Sequence, residues 1–139
     1  MNTIDLNGRV AIITGGARGI GHAITQRLLD SGASCSLWDK DEKALQQAGA
    51  TLPSNAKVHT CTVDVCNAES VQSATEATLR QWGQIDILVN NAGIAGATKK
   101  TWELTPEEWQ QVLQIDLFGP YLCSHAVVPK MLERGYGRI

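Results

Sequence analysis

The chain has 139 residues, the size of one domain by the usual range of about 100–200, with 43% hydrophobic and 19% charged residues, 13 Gly and 4 Pro. No apolar run reaches the ~18–20 residues of a membrane helix, and residues 1–7 carry neither a basic start nor an apolar stretch, which argues against a membrane span and a secretory signal. A net charge of −2, a pI near 5.9 and no basic cluster denser than Lys99-Lys100 argue against nucleic acid as the main partner.

Short β-branched runs alternate with longer amphipathic stretches. Val10-Ala11-Ile12-Ile13 reads as a strand buried on both faces. Ile20, Ala23, Ile24 and Leu28 then fall at helical spacing over 19–31, and Gly32 suits the residue just past the helix. A second strand is expected over 34–38 with a helix over 41–50, a third over 57–63 with a helix over 69–82, and a fourth over 85–90. Each strand–helix unit is long enough for a parallel crossover, so the expected fold is α/β, a doubly wound parallel sheet of Rossmann type. The last helix opens at Thr105-Pro106-Glu107-Glu108, where a Thr cap is followed by Pro and by a Glu three residues on. It is expected to run, disturbed at Pro120 and Pro129, to Arg134, with Arg138 and Ile139 opening a fifth strand. The sequence then stops inside an element, truncated before the body of that strand.

Cys35, Cys61, Cys66 and Cys123 contain no C-x-x-C pair, and His59, Cys61 and Cys66 lack the spacing of a zinc ribbon. The four read as reduced core thiols in a cytoplasmic protein, and no metal site is expected. The four Trp and the single Phe read as packing residues.

Thr14-Gly15-Gly16-Ala17-Arg18-Gly19-Ile20-Gly21 joins the first strand to the first helix, where free N–H groups and the helix dipole attract a pyrophosphate. Gly15 permits the sharp turn, Gly19 lets the phosphates approach, and Gly21 lets the helix lie close to the sheet. Arg18 and Ile20 belong to the same loop. Asp39 ends the second strand, where a carboxylate accepts hydrogen bonds from the ribose hydroxyls and repels a 2′-phosphate, so NAD is expected in preference to NADP. Arg18 pulls the other way, because a guanidinium there can pair with that phosphate.

Together these residues resemble the short-chain dehydrogenase/reductase family. Its T-G-x-x-x-G-x-G motif is Thr14 to Gly21, its N-N-A-G motif is Asn90-Asn91-Ala92-Gly93 after the fourth strand, and its Asp after the third strand is Asp64, followed by Val65. The resemblance covers essentially the whole chain. It implies that Asp64 accepts the adenine amino group while Val65 packs on the ring, and that Asn91, Ala92 and Gly93 line the ribose and nicotinamide side. Asn90 is expected to tie the fourth strand to its neighbour, and Asp64 could otherwise serve as a helix cap.

Trp109, Val112, Leu113 and Asp116 recur at i, i+3, i+4 and i+7, so a carboxylate sits on an otherwise apolar stripe. Pro120 offers no N–H to the Asp116 carbonyl, which predicts a kink. The family usually carries Asn there, and its backbone carbonyl holds a water linked to a catalytic Lys. Asp116 is therefore the one catalytic-site candidate in the chain, its main-chain role expected to survive and its side chain open to a local partner. Ile115, Phe118, Leu122, Ala126 and Leu132 form a second apolar face, so the helix is expected to be sandwiched, either against the sheet and another helix or against a partner subunit. In the family this helix lies in a dimer interface, implying a homo-oligomer, dimer or tetramer.

The family transfers hydride between a nicotinamide and a carbonyl or carbinol carbon, with a Ser, a Tyr and a Lys that follow the fifth strand. None is present by Ile139, so the chain is expected to be the cofactor-binding part, residues 1–139, of a longer single domain. The expected function is NAD-dependent oxidation of a secondary alcohol, or reduction of its ketone, of sugar, sugar-acid, polyol or hydroxyacyl type. A 3-oxoacyl thioester reductase shares every motif, and a non-catalytic dinucleotide-binding module is the reading from another class. An apolar fourth strand left as an exposed edge argues against the free-standing module.

Overall fold

The computed structural model describes residues 3–139; Met1 and Asn2, the start of the N-terminal stretch read above, lie outside them. Strands β1 (Val10–Thr14), β2 (Ser34–Asp39), β3 (Val58–Thr62) and β4 (Ile87–Val89) form a parallel sheet in the order β3-β2-β1-β4. Helices α1 (Gly19–Asp30), α2 (Glu42–Thr51), α3 (Ala68–Trp82), α4 (Pro106–Leu113) and α5 (Gly119–Arg134) complete the fold. It is the doubly wound α/β architecture expected.

β1 is central and all five of its residues are buried, as its unbroken apolar run requires. Successive side chains serve opposite faces. Ile12 joins a core with Trp38, Val71, Leu88, Leu122 and Val127, under α3 and α5. Ile13 joins one with Leu37, Ala44 and Leu45, under α1 and α2. Each fully buried Ile contributes about 1.5–3 kcal/mol relative to exposure. The chain winds outward from β1 to β3 and then returns to place β4 on the other side of β1. The order therefore reverses between β1 and β4, and a crevice opens beyond their carboxyl ends.

Local signals set most boundaries. Asp41 accepts from the Ala44 N–H to cap α2, and Asn67 accepts from the Ser70 N–H to cap α3. Thr105 and Glu108 close the expected reciprocal box on α4. Gly83 and Gly135 end α3 and α5 with φ of 80° and 68°, a region other residues adopt at a cost. The disturbance at Pro120 is a π-turn over Gln114–Phe118, in which the Gly119 N–H reaches back to the Gln114 carbonyl. α5 continues through Pro129.

Several expectations need correction. β4 is three residues long rather than spanning 85–90, and the residue just before it is Asp86. It is fully buried, and its carboxylate accepts from the Val10 N–H (2.9 Å), Arg9 (3.0 Å) and Gln84. The outer edge of β4 is partly covered, since Arg138 pairs with Ile87 as the start of the expected fifth strand. Within this chain the helical segment from Pro106 is covered on one side only. Leu122, Cys123, Val127 and Met131 face the core, but Trp109, Leu113, Phe118 and Leu132 are exposed. Of the aromatic residues read as packing, only Trp38 is a core residue, its indole N–H donating to Thr78; Trp102 is 80% exposed. All four cysteines are free, but only Cys35 and Cys123 are buried, with Cys61 and Cys66 half-exposed.

Burial pushes the Cys35 and Cys123 thiols up to about 12 from their ordinary 9.0, the neighbouring Cys66 adding to the effect at Cys123. A raised folded-state value leaves stability intact below pH 9. Above it the unfolded thiol ionises first, and each thiol withdraws about 1.4 kcal/mol per pH unit. Urea unfolding between pH 8 and 11 is expected to show a slope shallower by about that amount in Cys35→Ala than in the parent; parallel slopes would refute the assignment.

Candidate functional site

The crevice at the reversal of strand order is held open by one polar knot. The Thr14 hydroxyl accepts from the backbone N–H groups of Asn91 and Ala92, both at 3.0 Å, and donates to the Val89 carbonyl. The Asn91 side-chain amide donates to the carbonyls of Thr14 (3.0 Å) and Gly15 (3.2 Å). Asn91, not Asn90, therefore ties β4 to β1. Asn90 points the other way, toward the Ser124 hydroxyl on α5, because consecutive residues leaving a strand face opposite sides.

The glycines of the loop have separate reasons. Gly15 turns with φ of 62°, and Gly19 opens α1 with φ of 53°. A Cβ on Gly21 would run into the Gly15 carbonyl oxygen, so only glycine lets α1 lie this close to the loop. The N-terminus of α1 differs from those of α2, α3 and α4. Its cap position is Arg18, which makes no side-chain cap, and no acid occupies its first turn. Its leading N–H groups thus have no side-chain acceptor while Gly19 and Ile20 line the cleft.

The cleft has a volume of about 680 Å³. Gly15, Arg18, Gly19, Ile20, Asp39, Asp64, Val65, Asn91, Ala92 and Gly93 all line it, so every proposed cofactor residue except Gly21 converges there. Gly21 acts from behind, through its missing side chain. Asp39 is half-buried, its two carboxylate oxygens accepting from the Ala17 N–H (3.3 Å) and the Asp41 N–H (3.1 Å). The Arg18 side chain is largely exposed, and its Nη2 pairs with Asp41 at 2.7 Å. Hydrogen bonding from Ala44 and the Arg18 charge hold the Asp41 carboxyl below the usual carboxylate range.

Asp64 follows β3 and accepts from the Cys66 N–H at 2.9 Å. It is not the helix cap; Asn67 is. Val65 packs against Gly119, where a Cβ would stand 2.9 Å from its methyl group. Asp116 lies in the π-turn and is absent from the cleft lining. Its Oδ1 accepts from the Ile94 N–H at 2.8 Å and sits 3.2 Å from where a Gly93 Cβ would be. The carboxylate on the apolar stripe thus holds the loop that carries Ala92 and Gly93. Among the described residues, no three His, Cys, Asp or Glu side chains gather as a metal-binding group.

Sequence reasoning missed Lys40, Cys66, Gln111, Gln114 and Ile115, all of which line the cleft. Gln111, Gln114 and Ile115 share the i, i+3, i+4 spacing of one helix face, a signal that could have grouped them.

Comparison with known proteins agrees with this geometry. The family model described as short chain dehydrogenase matches residues 9–139. The chain is 39% identical over 132 residues to a 2-dehydro-3-deoxy-L-rhamnonate dehydrogenase (NAD(+)) of Sphingomonas sp. (strain SKA58), covering 95% of this chain and 52% of that one. An NAD+-bound xylitol dehydrogenase superposes with a TM-score of 0.93 at 32% identity, covering 96% of this chain and 52% of the other. A 3-ketoacyl-(acyl-carrier-protein) reductase from Brucella melitensis, complexed with NADH, gives 0.89 at 30% identity, with 94% and 53% covered. The chain spans about half the length of the curated relatives it matches. A match that runs from Arg9 through the phosphate loop to Ile139, supported by both sequence and fold, means that the chain belongs to the short-chain dehydrogenase family.

Proposed function

We propose that this chain is the NAD-binding part, residues 1–139, of an oxidoreductase that interconverts a secondary alcohol and its ketone, with a sugar, sugar acid, polyol or hydroxyacyl compound as substrate. The nicotinamide of the bound cofactor supplies the hydride acceptor or donor. The chain's own residues bind and orient it. The N–H groups at the start of α1 and the glycine turn receive the pyrophosphate. Asp64 accepts from the adenine amino group beside Val65, and Asn91 to Gly93 border the ribose and nicotinamide.

Asp39 carries the reading. Each of its carboxylate oxygens accepts one backbone N–H, so each keeps a lone pair for a ribose hydroxyl, while the fixed negative charge opposes a 2′-phosphate. NAD is therefore the proposed cofactor, in preference to NADP. The NAD(+)-dependent rhamnonate dehydrogenase and the NAD+-bound xylitol dehydrogenase among its relatives support both the cofactor and a polyhydroxy substrate. The similarity to a 3-ketoacyl reductase keeps a 3-oxoacyl thioester as the second reading. Unpaired thiols at all four cysteines fit a cytoplasmic setting. Trp109, Leu113, Leu117, Phe118 and Tyr121, exposed along α4, the π-turn and α5, support a homo-oligomer, dimer or tetramer.

The intact protein is expected to oxidise polyols or sugar acids with NAD+ faster than it reduces 3-oxoacyl thioesters, and to bind NAD+ at least tenfold more tightly than NADP+. Asp39→Ala should narrow that preference about tenfold, equivalent to roughly 1.4 kcal/mol. Equal affinity of the parent for both cofactors would overturn the assignment. For Asp116, the Asn variant keeps an oxygen for the Ile94 N–H and is expected to leave the pH–rate profile superimposable on the parent's. Asp116→Ala removes it and should lower kcat about tenfold through the loosened loop; a shifted profile in Asp116→Asn would instead give the carboxylate a titrating role. Sedimentation velocity of Leu117→Glu should show a smaller species than the parent if the exposed face is a subunit interface, and no change would remove that face from it.

A further inference from the structure

Building on the NAD-binding reading, we propose that Asp41 is a second determinant of cofactor choice, acting as a positioning residue that withdraws Arg18 from a 2′-phosphate. Arg18 is the only Lys or Arg in residues 14–21, and it lines the cleft next to Asp39. It is the cation of the phosphate loop that a 2′-phosphate would meet. In the structure its guanidinium is already engaged, Nη2 lying 2.7 Å from Asp41 Oδ2.

The geometry of Asp41 makes this engagement more than a chance surface pair. Its Oδ1 accepts from the Ala44 N–H at 3.0 Å to cap α2, a contact that orients the side chain independently of the ion pair. The second oxygen is then directed at Arg18. Its backbone N–H donates to Asp39 Oδ1 at 3.1 Å, so the same residue steadies the carboxylate that faces the ribose. One residue thus links helix cap, ribose acceptor and loop cation. A 2′-phosphate would have to compete with Asp41 for Arg18 and would meet two carboxylates instead of one. Lys40 also borders the cleft, and the Arg18→Ala background separates any contribution of Lys40 from that of Arg18.

Asp41→Asn tests this, because Asn caps helices as well as Asp and only the charge is lost; Asp41→Ser, another good cap, is the second variant. Dissociation constants of NAD+ and NADP+ are measured by calorimetry on the intact protein, alone and with Arg18→Ala. Asp41→Asn is expected to tighten NADP+ roughly three- to tenfold, with a smaller change for NAD+, in keeping with an exposed pair. The gain should vanish when Arg18→Ala is added and should shrink as salt is raised. A parent that prefers NAD+ but whose preference is unmoved in Asp41→Asn and Asp41→Ser, or a gain that persists without Arg18, overturns the role of Asp41 and leaves the cofactor reading standing. A parent without preference overturns the cofactor reading itself.

Discussion

The site depends on how the ends of β1 and β4 are kept apart yet joined. Two adjacent parallel strands whose connections run in opposite directions leave the first residues beyond them without a ladder partner on each other's strand. Thr14 and Asn91 supply those partners from side chains, so four backbone groups at the base of the cleft are satisfied without closing it. The same amide that binds the Gly15 carbonyl stands close to Gly21, so the tie, the turn and the approach of α1 form one packed unit.

Around that unit, helix ends divide the electrostatic work. α2, α3 and α4 begin on Asp41, Asn67 and Thr105, whose side chains consume a leading N–H group. α1 begins on Arg18, which consumes none. Uncapped donors are an unfavourable start for a helix on its own, and packing of α1 on the sheet offsets that cost. Among the described helices that do not continue directly from another, α1 alone starts without a capping side chain, and it does so at the rim of the cleft.

Much of this was legible in the chain because the relevant physics is local. The unbroken run Val10–Thr14, the glycines at 15, 19 and 21, the Thr105 box and the Asp at the end of β2 each act within a few residues of themselves. What failed to show was non-local. Asn90 and Asn91 are the same residue type, and only the strand register decides which one faces β1. Arg18 and Asp41 are separated by a whole strand and helix, so their pairing has no spacing signature. Trp102 and Trp109 read as core on hydrophobicity alone, whereas their exposure follows from the single-sided packing of the segment they flank. Gln111 and Gln114 give no sequence sign of lining a cleft, because a cleft wall and a solvated face can have the same composition.

The π-turn at Gln114–Phe118 carries a geometric consequence for the whole C-terminal rod. In a plain helix Ile115 and Leu122, seven residues apart, would share one face and would have to serve the cleft and the core with the same stripe. One extra residue in the turn rotates everything after it by about 100° relative to everything before it. α4 and the start of the π-turn can then present Gln111, Gln114 and Ile115 to the cleft while α5 presents Leu122, Cys123 and Val127 to the core. The turn works as a phase step, letting one continuous rod serve two masters that a uniform helix would have to choose between.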